Sequence, residues 1–120
     1  MKVVLITGIS SGFGFAIAQL LAKGNYQVYG TVRREVDLIT NVNYLYMDVV
    51  SDESVKQAID EVYRKEGRID VLINNAGVGI AAPLEFTKIT DIQHLMDVNF
   101  LGAVRVTQAV LPIMRKQSGG

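Results

Sequence analysis

Three glycines, Gly8, Gly12 and Gly14, fall between an apolar run, Val3 to Ile6, and the helical pattern that follows it. Glycine at such a junction lets backbone N–H groups approach a ligand with no side chain in the way. The start of a helix adds the positive end of its dipole, so a phosphate or pyrophosphate is the ligand the arrangement suits. The spacing is G-x-x-x-G-x-G, unlike the G-x-G-x-x-G of many dinucleotide sites, and no P-loop Lys-Ser/Thr pair follows. Taken alone, Thr7-Gly8-Ile9-Ser10-Ser11-Gly12-Phe13-Gly14 is compatible with a phosphate cradle or with a tight strand-to-helix turn that holds nothing.

The elements that must position this loop are legible from hydrophobic period. Val3 to Ile6 is continuous and partly β-branched, as in a strand covered on both faces. From Gly14 the period turns helical, with Ala16, Ile17, Leu20 and Leu21 predicted inward and Gly24 as a left-handed cap. Gln27 to Val32 and Val42 to Met47 read as strands, with room between them for no more than a turn or two of helix. Ser51-Asp52-Glu53 begins a capped helix with Val55, Ala58, Ile59 and Val62 inward and Gly67 at its end. A fourth strand spans Ile69 to Asn74, and a loop runs on to Lys88. A long helix is then predicted, with Thr90 as its cap, a stripe of Ile92, Leu95, Met96, Phe100, Val104, Thr107 and Leu111, and Pro112 bending its end. Strands alternating with helices predict an α/β, doubly wound parallel sheet of Rossmann type, a partial fold with strand order 3-2-1-4 in one domain over residues 1–120. In such sheets ligands sit at the carboxyl ends of the strands.

Composition narrows the function classes. The 120 residues carry 12 basic and 12 acidic side chains, so net charge offers no handle for nucleic acid or an anionic membrane. With no cysteine, disulfides and thiolate zinc sites are excluded and a cytoplasmic location is expected; the single His94 builds no metal site alone. The N-terminal apolar run is too short for a signal or a membrane span.

Further motifs stand in order beyond the glycine loop: Asp48-Val49 after the third strand, Asn74-Asn75-Ala76-Gly77 after the fourth, and Asn99 in the long helix. Together with Thr7-Gly8 through Gly14 they resemble, over the whole chain, the short-chain dehydrogenase/reductase family. The resemblance implies that Gly8, Gly12 and Gly14 hold a dinucleotide pyrophosphate, that Asp48 and Val49 contact the adenine, and that Asn75, Ala76 and Gly77 lie under the adenosine ribose. Phe13 stands where Ile is usual, and its backbone would still cap the nicotinamide side.

An acidic residue at the end of the second strand would favour NAD(H) by bonding the ribose 2′-hydroxyl and repelling a 2′-phosphate. Here Val32 occupies that position, followed by Arg33 and Arg34. A guanidinium pairs with phosphate through a planar fork of charge-assisted bonds, so Arg33 is assigned to the 2′-phosphate with Ser10 and Ser11 as helpers, and NADP(H) is preferred to NAD(H). A solvated loop face is the alternative for both arginines and stays open for Arg34.

The resemblance also implies the reaction: hydride exchange with a carbonyl or secondary alcohol, assisted by a tyrosine, a lysine four residues later, a serine and an asparagine. Of these only the asparagine, Asn99, is present. The residues four beyond Tyr26, Tyr29, Tyr44, Tyr46 and Tyr63 are Gly30, Arg33, Asp48, Val50 and Gly67, so none has the ammonium that would lower a phenol pKa. The chain therefore reads as the cofactor-binding half of such an enzyme, either an excerpt or truncated product or a fragment that works only with a partner supplying the rest, and by itself inactive and self-associating through an uncovered fourth strand. A noncatalytic NADP(H)-binding module is the alternative; a receiver domain fits poorly because Asn74-Asn75 replaces a phosphorylatable aspartate, and a flavodoxin-like domain because it would want a hydroxyl-rich FMN loop. The expected partners are a small carbonyl or alcohol substrate and, by resemblance, further copies paired through the long helix. The loop residues Ile80, Ala81, Ala82, Leu84 and Phe86 either wall the substrate pocket or fill space beneath that helix. His94, Asp70 and Asp97 read as surface or strand-end groups.

Overall fold

A computed structural model describes residues 1–120. β1 (Lys2–Ile6), β2 (Tyr26–Val32), β3 (Val42–Tyr46) and β4 (Val71–Ile73) form one parallel sheet in the order β3-β2-β1-β4. The helices are α1 (Gly12–Ala22), α2 (Asp52–Glu66), α3 (Ile89–Met96) and α4 (Gly102–Lys116), with a π-turn at Asp97–Leu101 joining the last two. The predicted fold class and strand order are those observed.

Side chains alternate across a strand, so β1 feeds two cores. Val3 and Leu5 join Tyr29, Leu45, Val55, Val62, Val106 and Val110 beneath α2 and α4. Val4 and Ile6 join Val28, Ile9 and Ala18 beneath α1. This double covering is why β1 is apolar without a break. β4 is the edge strand on this side, and Val71, Leu72 and Ile73 are half-buried. No helix is long and apolar enough to cross a membrane.

The structure departs from the sequence reading at several places, each for a packing reason. α1 begins at Gly12 and turns Gly14 and Ala18 inward, leaving Ala16 exposed and Leu20 71% exposed. Ile17 and Leu21, two of the residues predicted inward, pack partly buried against the core around Ala18. The helix ends at Lys23 in right-handed conformation, and Gly24 is not left-handed. No helix forms between β2 and β3; the Tyr44 hydroxyl accepts the Ile39 N–H at 2.8 Å and ties the coil down. α3 follows Lys88, not Thr90, with no side-chain cap. The π-turn changes the helical phase, so Val98, Gly102, Val106 and Val110 are the buried stripe, whereas Phe100 and Leu111 are exposed. α4 runs on through Pro112 to Lys116.

Candidate functional site

The site is built at the carboxyl ends of the strands, starting with the glycine loop. Gly8 has φ +72°, and a Cβ there would lie 2.8 Å from Ala76 Cα, so the position demands glycine twice over. A Cβ on Gly14 would lie 2.2 Å from the Gly8 carbonyl oxygen, which is how the start of α1 closes onto the loop. Gly12, at φ +62°, faces open space. The N–H groups of Ser10 through Gly14 find no partner elsewhere in the chain; the first bond of α1 runs from Phe15 N–H to Ser11 at 3.4 Å. Ser11 is the N-cap residue, yet its side chain caps nothing, and no acid lies in the first turn. The positive helix end is thus left uncompensated beside a row of free donors.

Tertiary hydrogen bonds hold this loop against the exit of β4. The buried Thr7 Oγ1 accepts the N–H groups of Asn75 at 3.0 Å and Ala76 at 2.9 Å. The Asn75 amide donates to the Gly8 carbonyl at 2.9 Å, and Thr31 Oγ1 accepts the Gly8 N–H at 3.1 Å. Sequence reading gave Thr7 and Thr31 no role of their own. The signal was available: a hydroxyl at the end of an apolar strand is buried only where it finds partners.

Between loop and sheet lies a cleft of about 240 Å³. Of the residues assigned to cofactor, the fold gathers Gly8, Ser10, Ser11, Arg33, Asp48, Val49, Asn75, Ala76 and Gly77 on its walls, and adds Arg34, Val78, Met47 and Val98. Gly12, Phe13 and Gly14 lie just outside; Phe13 is 84% exposed and Gly14 buried. Arg33 and Arg34 are exposed and make no ion pair. The Asp48 carboxylate accepts the Val50 N–H at 3.2 Å, and its own N–H donates to Ser54 Oγ at 2.9 Å, so it is held at the mouth of β3. Val49 is buried, and its carbonyl accepts from Arg105, a residue the sequence reading passed over.

Asn99 lies in the π-turn. Its amide donates to the Val78 carbonyl at 2.8 Å, and its Oδ1 accepts the Val78 N–H at 2.8 Å. Both ends of the side chain are therefore spent on the strand-exit loop. Asn74 bonds Thr107 on α4 at 3.0 Å.

None of the five tyrosines lines the cleft. Tyr29 is buried under the sheet, donating to Glu66 at 2.7 Å, and its pKa is pushed up to about 12, first by burial and then by that carboxylate. That is the wrong direction for a proton donor near neutrality. His94 is exposed on α3; Asp70 is held by Arg68 and the Val3 N–H, and its pKa lies below the ordinary carboxylate range chiefly because of Arg68. No cluster of ligating side chains could hold a metal ion.

The donor set can be matched to a phosphate group. Free amides at a helix start, glycines that leave room for close approach, and unpaired guanidinium groups suit a diphosphate carrying a further anionic group nearby. Comparison with known proteins identifies the family. A family model described as short chain dehydrogenase matches residues 2–120. A 3-ketodihydrosphingosine reductase of Bacteroides thetaiotaomicron is 44% identical over 99% of this chain and 44% of its own length. Human retinol dehydrogenase 8 is 40% identical over 99% of the chain and 42% of that protein. A solved structure of ElxO with NADP bound superposes with a TM-score of 0.91 at 33% identity, over 99% of this chain and 52% of ElxO. The chain spans less than half the length of these two curated relatives.

Proposed function

The chain belongs to the short-chain dehydrogenase family, and we propose that it binds NADP(H) as the N-terminal, cofactor-holding part of a single-domain oxidoreductase acting on a carbonyl or secondary alcohol. One observation carries the choice of cofactor: unpaired Arg33 and Arg34 share a cleft with Ser10 and Ser11, next to the free amides of the glycine loop. In this reading the amides of Ser10 to Gly14 hold the pyrophosphate, Arg33 takes the 2′-phosphate, and Asp48 and Val49 flank the adenine. Asn75, Ala76 and Gly77 lie under the ribose. Asn99 acts by fixing Val78 and hence the loop that follows β4. Bound nicotinamide supplies or accepts the hydride; the residues here bind and orient it.

The loop after β4 supports an apolar substrate. Leu84 is 79% and Phe86 76% exposed, and Ile80 is also exposed. A sphingoid ketone and retinol, both largely hydrocarbon, are named in the two curated relatives. Self-association is supported by Phe100, Leu101 and Leu111, large apolar groups left exposed along the helical rod that ends in α4. The absence of cysteine fits the reducing cytoplasm.

Titration with NADPH and NADH tests the cofactor assignment. The chain should bind NADPH more tightly, and Arg33→Ala should cost NADPH about tenfold to a hundredfold in affinity while leaving NADH nearly unchanged. Equal affinity for both nucleotides, or an unchanged NADPH affinity in the variant, defeats the assignment. A noncatalytic NADP(H)-binding module is the second reading. Under either reading the chain alone should show no carbonyl turnover with NADPH; measurable turnover by the purified chain would overturn that expectation.

A further inference from the structure

Arg105 lies on α4 with its side chain about one-fifth exposed (21%) and reaches three elements at once. Its Nη1 donates to the Val49 carbonyl at 2.9 Å and to the Asp97 carbonyl at 3.2 Å; its Nη2 donates to the Asp97 carboxylate. Nε is 3.3 Å from Asp52 Oδ1, but Asp52 is 91% exposed and that pair contributes little.

The Asp97 carbonyl is where the π-turn begins: it accepts the N–H of Gly102, five residues on, in place of the four-residue partner of an α-helix. A carbonyl has two lone pairs, and Arg105 takes the second. A Cβ on Gly102 would lie 2.7 Å from Val49 Cγ2, so helix and strand exit are pressed together at the same point. Two residues beyond Asp97 stands Asn99, holding Val78 by both ends of its amide. Val49 and Val78 both line the cleft.

We propose that Arg105 is a positioning residue: by bracing the Val49 carbonyl against the π-turn it sets the separation of two cleft walls, and through Asn99 it holds Val78. The planar fork is what permits this, because one guanidinium donates in several directions at fixed angles where an ammonium acts as a point charge. The effect on nucleotide rests on the NADP(H) reading above; the bracing of Val78 does not.

Two measurements separate these statements: the NADPH dissociation constant, and hydrogen exchange at the Val78 N–H without nucleotide. Arg105→Met keeps the apolar stem, and Arg105→Lys keeps the charge without the fork. Both should weaken NADPH binding about tenfold and speed Val78 exchange by a similar factor relative to the amides of β1. Tyr29→Phe is the control, a destabilising change away from the cleft that should leave both readouts in place. Val78 protection and NADPH affinity within about twofold of the parent in a folded Arg105 variant would overturn the proposal. If neither variant folds, Asp97→Asn decides, since it keeps the acceptor oxygen and removes the charge: faster Val78 exchange supports the brace and unchanged exchange refutes it. Should the parent chain bind no NADPH, the cofactor reading fails, and Val78 exchange still decides whether Arg105 braces the turn.

Discussion

α1 and α2 leave the same sheet and finish in opposite ways. α2 is closed at both ends: Ser51 Oγ accepts the Ser54 N–H at 3.2 Å, Asp52 and Glu53 meet the positive end, Arg64 and Lys65 the negative end, and Gly67 turns left-handed at φ +70°. α1 has an N-cap serine that bonds nothing, no acid in its first turn and no base in its last. A helix that serves only the core satisfies its own termini. The helix that starts the cleft bonds its last carbonyls through Lys23 and Gly24 but leaves its N-terminus for something else to satisfy, and that difference marks the site better than either helix's composition does. The rest of the sheet repeats the contrast. Away from the cleft, Asp70 is bonded by Arg68 and Val3, Gln117 bonds both polar groups of the Ile69 backbone, and Glu66 takes Tyr29 and Gln27. At the cleft, donors and guanidinium groups stand free.

The largest effect expected from breaking the contrast is Gly14→Ala. The added methyl would meet the Gly8 oxygen at 2.2 Å and Asn75 Nδ2 at 2.4 Å, forcing loop and helix apart. Nucleotide affinity should fall by more than about a hundredfold and stability by about 1–3 kcal/mol, read by titration and urea unfolding. Retained tight binding would mean the loop is not the anion site.

Cap replacements sharpen the comparison at smaller cost. Ser51→Ala removes a working cap and should lower stability by about 1 kcal/mol with nucleotide affinity intact. Ser11→Ala removes a serine that caps nothing, so stability should stay within about 0.5 kcal/mol while NADPH affinity drops a few-fold. The reverse outcome, stability lost at Ser11 or affinity lost at Ser51, would erase the distinction between the helices.

The smallest effect concerns pH and the closed side of the molecule. Tyr29 has its folded-state pKa raised from 10.0 to about 12, so folding favours the neutral phenol. Its contribution is complete below pH 10 and is lost as pH rises toward about 12. Asp70 works in the opposite sense: its lowered pKa gives stability present above the ordinary carboxylate range and lost as pH falls through it. Unfolding midpoints against pH should show both limbs, and Tyr29→Phe should flatten the alkaline one. An unaltered alkaline limb in that variant would assign it to another group.

The sheet order, the two-faced β1, the glycine turn, the capped α2 and the gathering of Ser10, Arg33, Asp48 and Asn75 were all readable along the chain. The elements depend on short windows, a period of two or of about 3.6 or a cap, and Arg33 on its place at a strand end, whereas Asp48 and Asn75 were assigned through the family resemblance; parallel topology carries them all to one rim of the sheet. The inward face of α1 was readable only in part: Ile17 and Leu21 pack against the core as predicted, whereas Ala16 and Leu20 are exposed. Ile17, Leu20 and Leu21 outweigh the small residues in a hydropathy pattern, whereas the fully buried positions are Gly14, where a Cβ would strike the Gly8 carbonyl, and Ala18.

The phase of α4 was hidden for a related reason. A π-turn adds a residue without altering composition, and here it accompanies an arginine eight residues away that bonds the Asp97 carbonyl. The same holds for the bonds that shape the cleft. Thr7 meets Asn75 across 68 positions of sequence, and Arg105 meets Val49 across 56. Local sequence was enough to mark a glycine-rich strand-to-helix turn and two arginines at the end of the second strand. Which of the turn's amides stay unpaired, which threonines pin the loop, and what holds Asn99 against Val78 were decided only when strand order brought distant segments together, because a hydrogen bond is formed by proximity and angle, and neither exists until the chain has folded.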